Sequence, residues 1–418
     1  MVIVTNFREK VYHFDIPNAF LNGEVHESVY MRQPPGYTDE RYPHYVCSLK
    51  KALYGLKQAS LAWYIKLDDV LTSIGLKKHN ADPCFYYYFA SGEWALVLIY
   101  VDDNAIAGTE NLRNRIIELL KKEFRAKDLG IASRYIGTSI DYHPDGVFLH
   151  QKKDIEDFLK KCNYYNATPL KTPFNEHSYA EIANSEPIDQ TSYQSAIGSL
   201  MWYALCTRPD ILFVVTSLAQ FQAKPTKKAM EAVHRVYRYL RGTLNHGIFI
   251  PLPTKMASAK FVLMPYTDAS FTLPILDSRS ASGVIFLLNN VPIHWISCKQ
   301  RLISLSSTEA EIIASSLCAQ ELLWICQILD PIIKLDHPIE MHIDNLSMKY
   351  IVESVLTSHR TKHLHIRYLF IKQLLSDHPV VLKWVPSEDN IADLLTKYFT
   401  TVGVFKGLVS KIASDRDH

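Results

Sequence analysis

At 418 residues the chain is too long for one ordinary hydrophobic core, and at roughly 150 residues per domain it divides into two or three. Apolar residues make up 48% and charged residues 21%, which excludes disordered and collagen-like chains. A formal net charge of +2 gives bulk electrostatics no part in recruiting nucleic acid, so any basic surface must be local.

Strand-like apolar runs dominate the first stretch, at Val11 to Phe14, Tyr86 to Phe89 and Ala95 to Tyr100, with a helical pattern from Ala62 to Ile74 between them. This mixture predicts a sheet with helices on one face. A charged amphipathic helix follows from Asn111 to Phe124, then short strands around Tyr135 to Ile140 and Val147 to His150, then a helix from Lys153 to Cys162. The polar stretch from Asn166 to Ser192 reads as a linker. Helices over Tyr193 to Leu205, Pro209 to Gln222 and Thr226 to Arg241 make the middle block all-helical. The segment PLPTKMASAK at 251–260 marks a boundary before fresh strands from Phe261, and Ile412 to His418 should fray. Cys47, Cys84, Cys162, Cys206, Cys298, Cys318 and Cys326 form no CxxC pair and read as scattered buried thiols in a reducing compartment. The start has no secretory pattern, and the longest apolar run, Trp94 to Val101, is too short to span a bilayer. A soluble intracellular protein is expected, with no membrane partner.

The run ALVLIYVDDNAIAG joins two apolar strands by a turn that carries Asp102 and Asp103. Two Asp residues at a hairpin tip are also ordinary turn chemistry. Asp15, however, ends another apolar strand, and Pro17 biases Ile16 to an extended conformation and is placed to start a helix. Neighbouring strand ends would set Asp15 beside Asp102 and Asp103, an arrangement that repels itself unless cations hold it. Two Mg²⁺ ions about 4 Å apart, or Mn²⁺ in their place, would do so and would stabilise an in-line phosphoryl displacement. On the helix from Thr226, Arg235, Arg238 and Arg241 recur every third residue, with Lys227 and Lys228 about two turns earlier. Such a stripe can follow phosphates, or be simply a solvated face.

The strings FDIPNAFLNGEVHESVYMRQPPGY, KKALYGLKQASLAWY and YVDDNAIAG, followed in order by KDLG, YIGTSIDY, IGSLMWYALCTRPDI and AVHRVYRYLRGT, resemble the reverse transcriptase of copia-type LTR retrotransposons. The resemblance implies a right-hand polymerase palm in which Asp15 and Asp102 are the main metal ligands, with Asp103 beside them. It also gives Phe20 the position that excludes a ribose 2′-hydroxyl, and Gln58 a contact with the incoming nucleotide and template. An aromatic ring under the sugar leaves no room for the hydroxyl, although a core Phe on a helix face fits the same pattern.

A second set of acids follows. KFVLMPYTDAS puts Asp268 at the end of an apolar strand, and RSASGVIFLLNNVPIHWISCK reads as two more strands. A helix from Ser307 to Leu329 carries Glu309 and Glu311 near its start, where a capping box with Ser306 or Thr308 is the ordinary meaning. Asp344 ends the strand IEMHID, and Asp393 lies in IADLLTK near the start of a last helix. Acids gathered at strand and helix ends again suggest paired divalent cations. YTDAS, SLSSTEAE, HIDN, RTKHLHIRY and SEDNIADLLTK resemble the ribonuclease H of the same retrotransposons. That likeness implies Asp268, Glu311, Asp344 and Asp393 as the catalytic set, with Glu311 preferred to Glu309, and Arg360, Lys362, His363 and Arg367 as hybrid contacts. His363 and His365 are two apart and do not share a helix face, so they make a weak zinc pair.

The expected architecture is multidomain α+β and α/β. A palm over 1–170 leads to a helical thumb-like block over 171–255, a ribonuclease H-like α/β domain with a mixed five-stranded sheet over 256–400, and a tail over 401–418. The resemblance implies an RNA-directed DNA polymerase and ribonuclease H acting on RNA template, DNA primer, deoxynucleoside triphosphates and RNA:DNA hybrid. Other products of the element would be its partners, and the location would be cytoplasmic, in a virus-like particle for an intact element, or nuclear. Only Met1 to Tyr12 precede the first catalytic strand, where the family has a fingers region, so an N-terminally truncated copy is expected, with the nuclease half the more intact. The alternative is a noncatalytic relic that binds nucleic acid or co-assembles.

Overall fold

The computed structural model describes residues 1–174, 182–253, 260–271, 279–354, 365–399 and 401–416. The chain forms two compact units, one over Ile3–Ile136 and the other over Gly137–His418. This division falls ahead of the boundary near residue 170 that composition suggests.

The first unit is built from β1 (Tyr12–Asp15), α1 (Ala59–Ser73), β2 (Lys77–Lys78), β3 (Phe85–Ala90), β4 (Glu93–Tyr100), β5 (Asp103–Gly108), α2 (Glu110–Phe124) and β6 (Lys127–Ile131). Its six strands lie in the order β2-β3-β4-β5-β1-β6, with antiparallel pairing throughout. The period of 3.6 in α2 puts Leu112, Ile116, Leu120 and Phe124 on one buried face, and α1 does the same with Trp63, Leu67 and Leu71. These side chains close over Phe14, Val97 and Ile106 of the sheet to form one core. Pro17 is not the first residue of a helix. It sits in a turn with Asn18 left-handed at φ 54°, and a short 3-10 helix, Ala19–Asn22, follows.

The second unit continues with β7 (Thr138–His143), β8 (Gly146–His150), α3 (Lys152–Lys161), α4 (Gln190–Cys206), α5 (Leu212–Ala219), α6 (Lys227–Gly242) and β9 (His246–Pro251). It then adds β10 (Leu263–Ser270), β11 (Ala281–Leu288), β12 (Val291–Lys299), α7 (Ser307–Leu329), β13 (Ile339–Ile343), α8 (Leu346–Glu353), α9 (His365–Asp377), β14 (Val380–Trp384), α10 (Val402–Val409) and β15 (Ser414–Asp415). The middle block is not all-helical, because β9 leaves α6 and pairs antiparallel with β8. Nor do the described residues of the end fray. Ile412 and Ala413 are buried, β15 pairs with β9, and Arg416 forms two hydrogen bonds to Asp145 at 3.0 and 2.8 Å.

A five-stranded sheet in the order β12-β11-β10-β13-β14 forms the frame of the last third. β12, β11 and β10 are an antiparallel meander, whereas β13 and β14 join it in parallel. This is the mixed five-stranded sheet expected. Every residue of β11 is buried, as suits a central strand covered on both faces. The helix α7 packs on β10 and β11. By length and composition α7 could cross a membrane, but it is the core helix of this sheet and buries Glu311 among other acids. Glu309, Glu311 and Glu321 interrupt its apolar run. Among the cysteines only Cys318 is buried, Cys84 is exposed, and the other five are half-buried.

Candidate active sites

In the first unit β1 lies against β5 with Asp15 directly opposite Asp103, so both side chains project from the same face at one end of the sheet. Asp102 is in the β4–β5 turn, and its carbonyl accepts the Ile16 amide at 3.0 Å, tying that turn to the chain just after Asp15. The other turn residue, Val101, has φ 55°, a conformation that is strained for a β-branched side chain. Something must hold it there. The buried Trp63 of α1 donates its indole N–H to the Val101 carbonyl at 3.0 Å, so a core residue fixes the turn that presents the acids.

Three neighbours of these acids escaped the sequence reading. His13 on β1 hydrogen-bonds the Asp103 carboxylate, as its place two residues before Asp15 on the same strand face allows. Tyr135 lies edge-on to His13 with ring centroids 6.1 Å apart. Tyr54, in the ALYG string, has its ring centroid 4.7 Å from that of Phe20. Its phenol is pushed above the ordinary value by partial burial and by the charges of Asp102 and Asp15. Phe20 itself packs on the core with part of its surface open. Gln58, just ahead of α1, donates to Glu27 at 3.0 Å and lines a groove of about 280 Å³ with Glu24, His26 and Leu61.

The second unit gathers its acids more tightly. Among the described residues, Asp268, Asp344 and Asp393 alone form a group of three or more His, Cys, Asp or Glu whose ligand atoms all lie within 4.8 Å of one another. Asp268 stands near the end of β10, opposite Gly283 of β11, and is 1% exposed. Asp344 follows β13. Its carbonyl takes the Trp384 indole N–H at 3.0 Å, and its carboxylate takes the Ser387 hydroxyl at 2.7 Å. Asp393 comes from a 3-10 turn, Ile391–Leu395, rather than from an α-helix.

That turn is pinned to the sheet from two sides. Asn390 donates to the Thr267 carbonyl at 3.1 Å, and Ser297 of β12 donates to the Leu395 carbonyl at 2.7 Å. Gly283 makes the close approach possible, since a Cβ there would stand 2.7 Å from Thr396 Cγ2 and 2.8 Å from Leu395 Cβ.

The two glutamates of α7 separate cleanly. Glu309 accepts the Leu305 amide at 2.6 Å while its own amide donates to Ser306 Oγ at 3.2 Å, so it caps the start of α7. Glu311 is buried, and burial together with the Asp268 and Asp344 charges raises its carboxyl well above the usual range. Asp393 is pushed up to about 8, by burial first and by Asp268 next. Asp268 is raised as well, chiefly by burial. Its buried Oδ1 faces the Lys397 ammonium at 3.3 Å, and its Oδ2 accepts the Thr396 hydroxyl. Carboxylates that raise one another form an all-oxygen donor set of the kind that hard divalent cations occupy. The donors present therefore fit Mg²⁺ or Mn²⁺.

The arginines of α6 are disposed differently from an open stripe. Arg235 donates to Thr172 Oγ1 at 3.0 Å, Arg238 to the Thr168 carbonyl at 2.8 Å, and Arg241 to the Tyr165 carbonyl. They clasp the segment after α3, which leaves only their remaining donors for phosphate. Arg367 lies half-buried on α9, whereas Arg360, Lys362 and His363 fall outside the described residues.

The family described as reverse transcriptase (RNA-dependent DNA polymerase) matches residues 1–176. The chain is 35% identical over 409 residues to the retrovirus-related Pol polyprotein from transposon RE1 of Arabidopsis thaliana, covering 97% of this chain and 27% of that polyprotein. It thus spans about a quarter of the length of this relative. A transposon Ty5-1 protein of Saccharomyces cerevisiae is 31% identical over 317 residues, covering 74% of this chain and all of that protein. Among solved structures, LC11-RNase H1 in complex with RNA/DNA hybrid covers 32% of this chain at 17% identity, with a TM-score of 0.26.

Proposed function

From the premise that this chain belongs to the copia-type retrotransposon Pol family, with a reverse transcriptase domain and a ribonuclease H-like fold, we propose that it carries both phosphoryl-transfer activities. Asp15, Asp102 and Asp103 serve template-directed addition of deoxynucleotides to a DNA primer. Asp268, Glu311, Asp344 and Asp393 serve hydrolysis of the RNA strand of an RNA:DNA hybrid. The gathering of Asp268, Asp344 and Asp393 within 4.8 Å is the observation that carries the proposal.

Divalent cations held by these carboxylates would supply positive charge to phosphate oxygens and acidify a water. The chain's own residues do the rest. Asn390, Ser297 and Thr396 set the turn that aims Asp393 and the second oxygen of Asp268. Ser387 and Trp384 orient Asp344, and the raised carboxyl of Glu311 can hold or release a proton beside the phosphate. In the polymerase half, the Trp63 hydrogen bond holds Asp102 in place, and the Phe20–Tyr54 ring pair offers a flat wall against a deoxyribose. Phosphate contacts fall to Arg367 and to the free donors of Arg235, Arg238 and Arg241. A cytoplasmic location belongs to the same proposal.

Two substitutions separate the halves. Asp344→Asn stops cleavage of a labelled RNA:DNA hybrid in Mg²⁺ and leaves primer extension running, whereas Asp102→Asn does the reverse. Hybrid cut by Asp344→Asn as fast as by the parent would falsify the nuclease assignment.

A further inference from the structure

Lys397 lies four residues after Asp393, and its ammonium stands among the nuclease acids. It is 2.8 Å from Asp393 Oδ1, 3.3 Å from Asp268 Oδ1 and 4.0 Å from Asp344 Oδ2. The backbone keeps it there, since the Lys397 amide donates to the Asp393 carbonyl at 2.9 Å. The two ligands it touches most closely are nearly buried, with side chains 1% and 8% exposed, whereas Lys397 keeps 35% of its side chain open to solvent. Crowded carboxylates repel one another in a poorly solvated place unless a cation stands between them. A lysine ammonium is a compact monovalent charge on a flexible stem of four carbons, able to enter such a cluster and to leave it toward water.

We propose that Lys397 is a built-in counter-cation that occupies the acid cluster and swings out when divalent cations enter, so that it sets the metal affinity of the site. The inference rests on the nuclease reading above. The ammonium and the divalent cations require the same Asp268 and Asp393 oxygens, and like charges a few ångströms apart exclude one another. In the metal-free chain the lysine keeps the acids gathered. In the loaded chain it is a competitor that has been displaced.

The test is calorimetric titration of Mn²⁺ into the full chain, comparing the parent with Lys397→Met and Lys397→Arg. Lys397→Met should bind Mn²⁺ on the order of tenfold more tightly, and Lys397→Arg, which keeps a cation in place, should stay near the parent. Thermal melting gives an independent reading. In EDTA, Lys397→Met should melt below the parent, and Mn²⁺ should raise its melting temperature by more. Lys397→Gln repeats the comparison if the Met variant does not fold without metal. Equal or weaker Mn²⁺ binding by both neutral variants, with no larger melting shift, overturns the competitor role and leaves the nuclease reading standing. No Mn²⁺ uptake by parent or variants overturns both.

Discussion

Replacing Asp210 by Asn tests how the second unit is held together. Arg208 and Asp210 have side chains that are 0% exposed. The guanidinium grips both carboxylate oxygens, Nε to Oδ1 at 3.0 Å and Nη2 to Oδ2 at 2.8 Å. It also donates to the Thr243 carbonyl at 3.0 Å and to the Thr243 hydroxyl at 2.7 Å, and Tyr239 donates to Asp210 Oδ2 at 2.6 Å. Asp210→Asn keeps the shape but turns an amide N–H₂ toward guanidinium donors and leaves the Arg208 charge buried and uncompensated. Breaking a buried pair on one side costs about 3–5 kcal/mol, against about 1.5–3 kcal/mol for Tyr239→Phe, which removes one hydrogen bond to a charged acceptor. The double variant Arg208→Met with Asp210→Leu should be less destabilised than Asp210→Asn, because no charge is left stranded. Urea unfolding followed by far-UV circular dichroism measures all three.

pH gives the same network a second signature. Burial pulls the Asp210 carboxyl up, but the Arg208 charge and hydrogen bonds outweigh it, and the group is held below its ordinary value. A depressed carboxylate adds stability above its unfolded pKa of ~3.9 that is lost as pH falls through the folded value. The gap between parent and Asp210→Asn should therefore be full near neutrality and narrow only in strong acid. A loss under about 1 kcal/mol at neutral pH, the scale of an exposed pair, would refute the reasoning.

Gly283→Ala should destabilise by about 1–3 kcal/mol through overpacking and slow hybrid cleavage, since the new methyl collides with Thr396 and Leu395; urea midpoints and initial cleavage rates check it. Glu309→Ala should cost about 0.5–2 kcal/mol as a lost cap yet still cut hybrid, while Glu311→Gln should abolish cleavage; the reverse pattern would reassign the nuclease glutamate. Trp63→Phe removes the hydrogen bond to the strained Val101 carbonyl, and primer extension should fall at least tenfold with the far-UV spectrum unchanged. Arg238→Ala should loosen the segment it clasps, read as faster amide exchange around Thr168, more than it flattens the salt dependence of hybrid binding.

Much of this was legible because local patterns report faces and ends. α7 shows both termini in its residues, since Ser306 and Glu309 write a capping box into the sequence and apolar spacing runs on to Leu329. Asp15, Asp102, Asp268 and Asp344 stand out because each closes an apolar run. What stayed hidden depends on partners rather than on periods. Nothing in GIFI names β8, nearly a hundred residues earlier, as the strand that β9 will join. The polar tail looks frayed until Arg416 meets Asp145. A run of arginines has the same spacing whether it faces phosphate or, as here, the carbonyls of Tyr165 and Thr168. Nothing in the sequence singles out Lys397, and only the convergence of three acids gives it a role.

The nuclease assignment turns most directly on hydrolysis of end-labelled RNA in an RNA:DNA hybrid by the full chain. It predicts RNA fragments in Mg²⁺, none with excess EDTA, and none from Asp268→Asn in either condition. A chain that binds the hybrid tightly yet leaves its RNA intact in both Mg²⁺ and Mn²⁺ would contradict it and mark the protein as a noncatalytic binder.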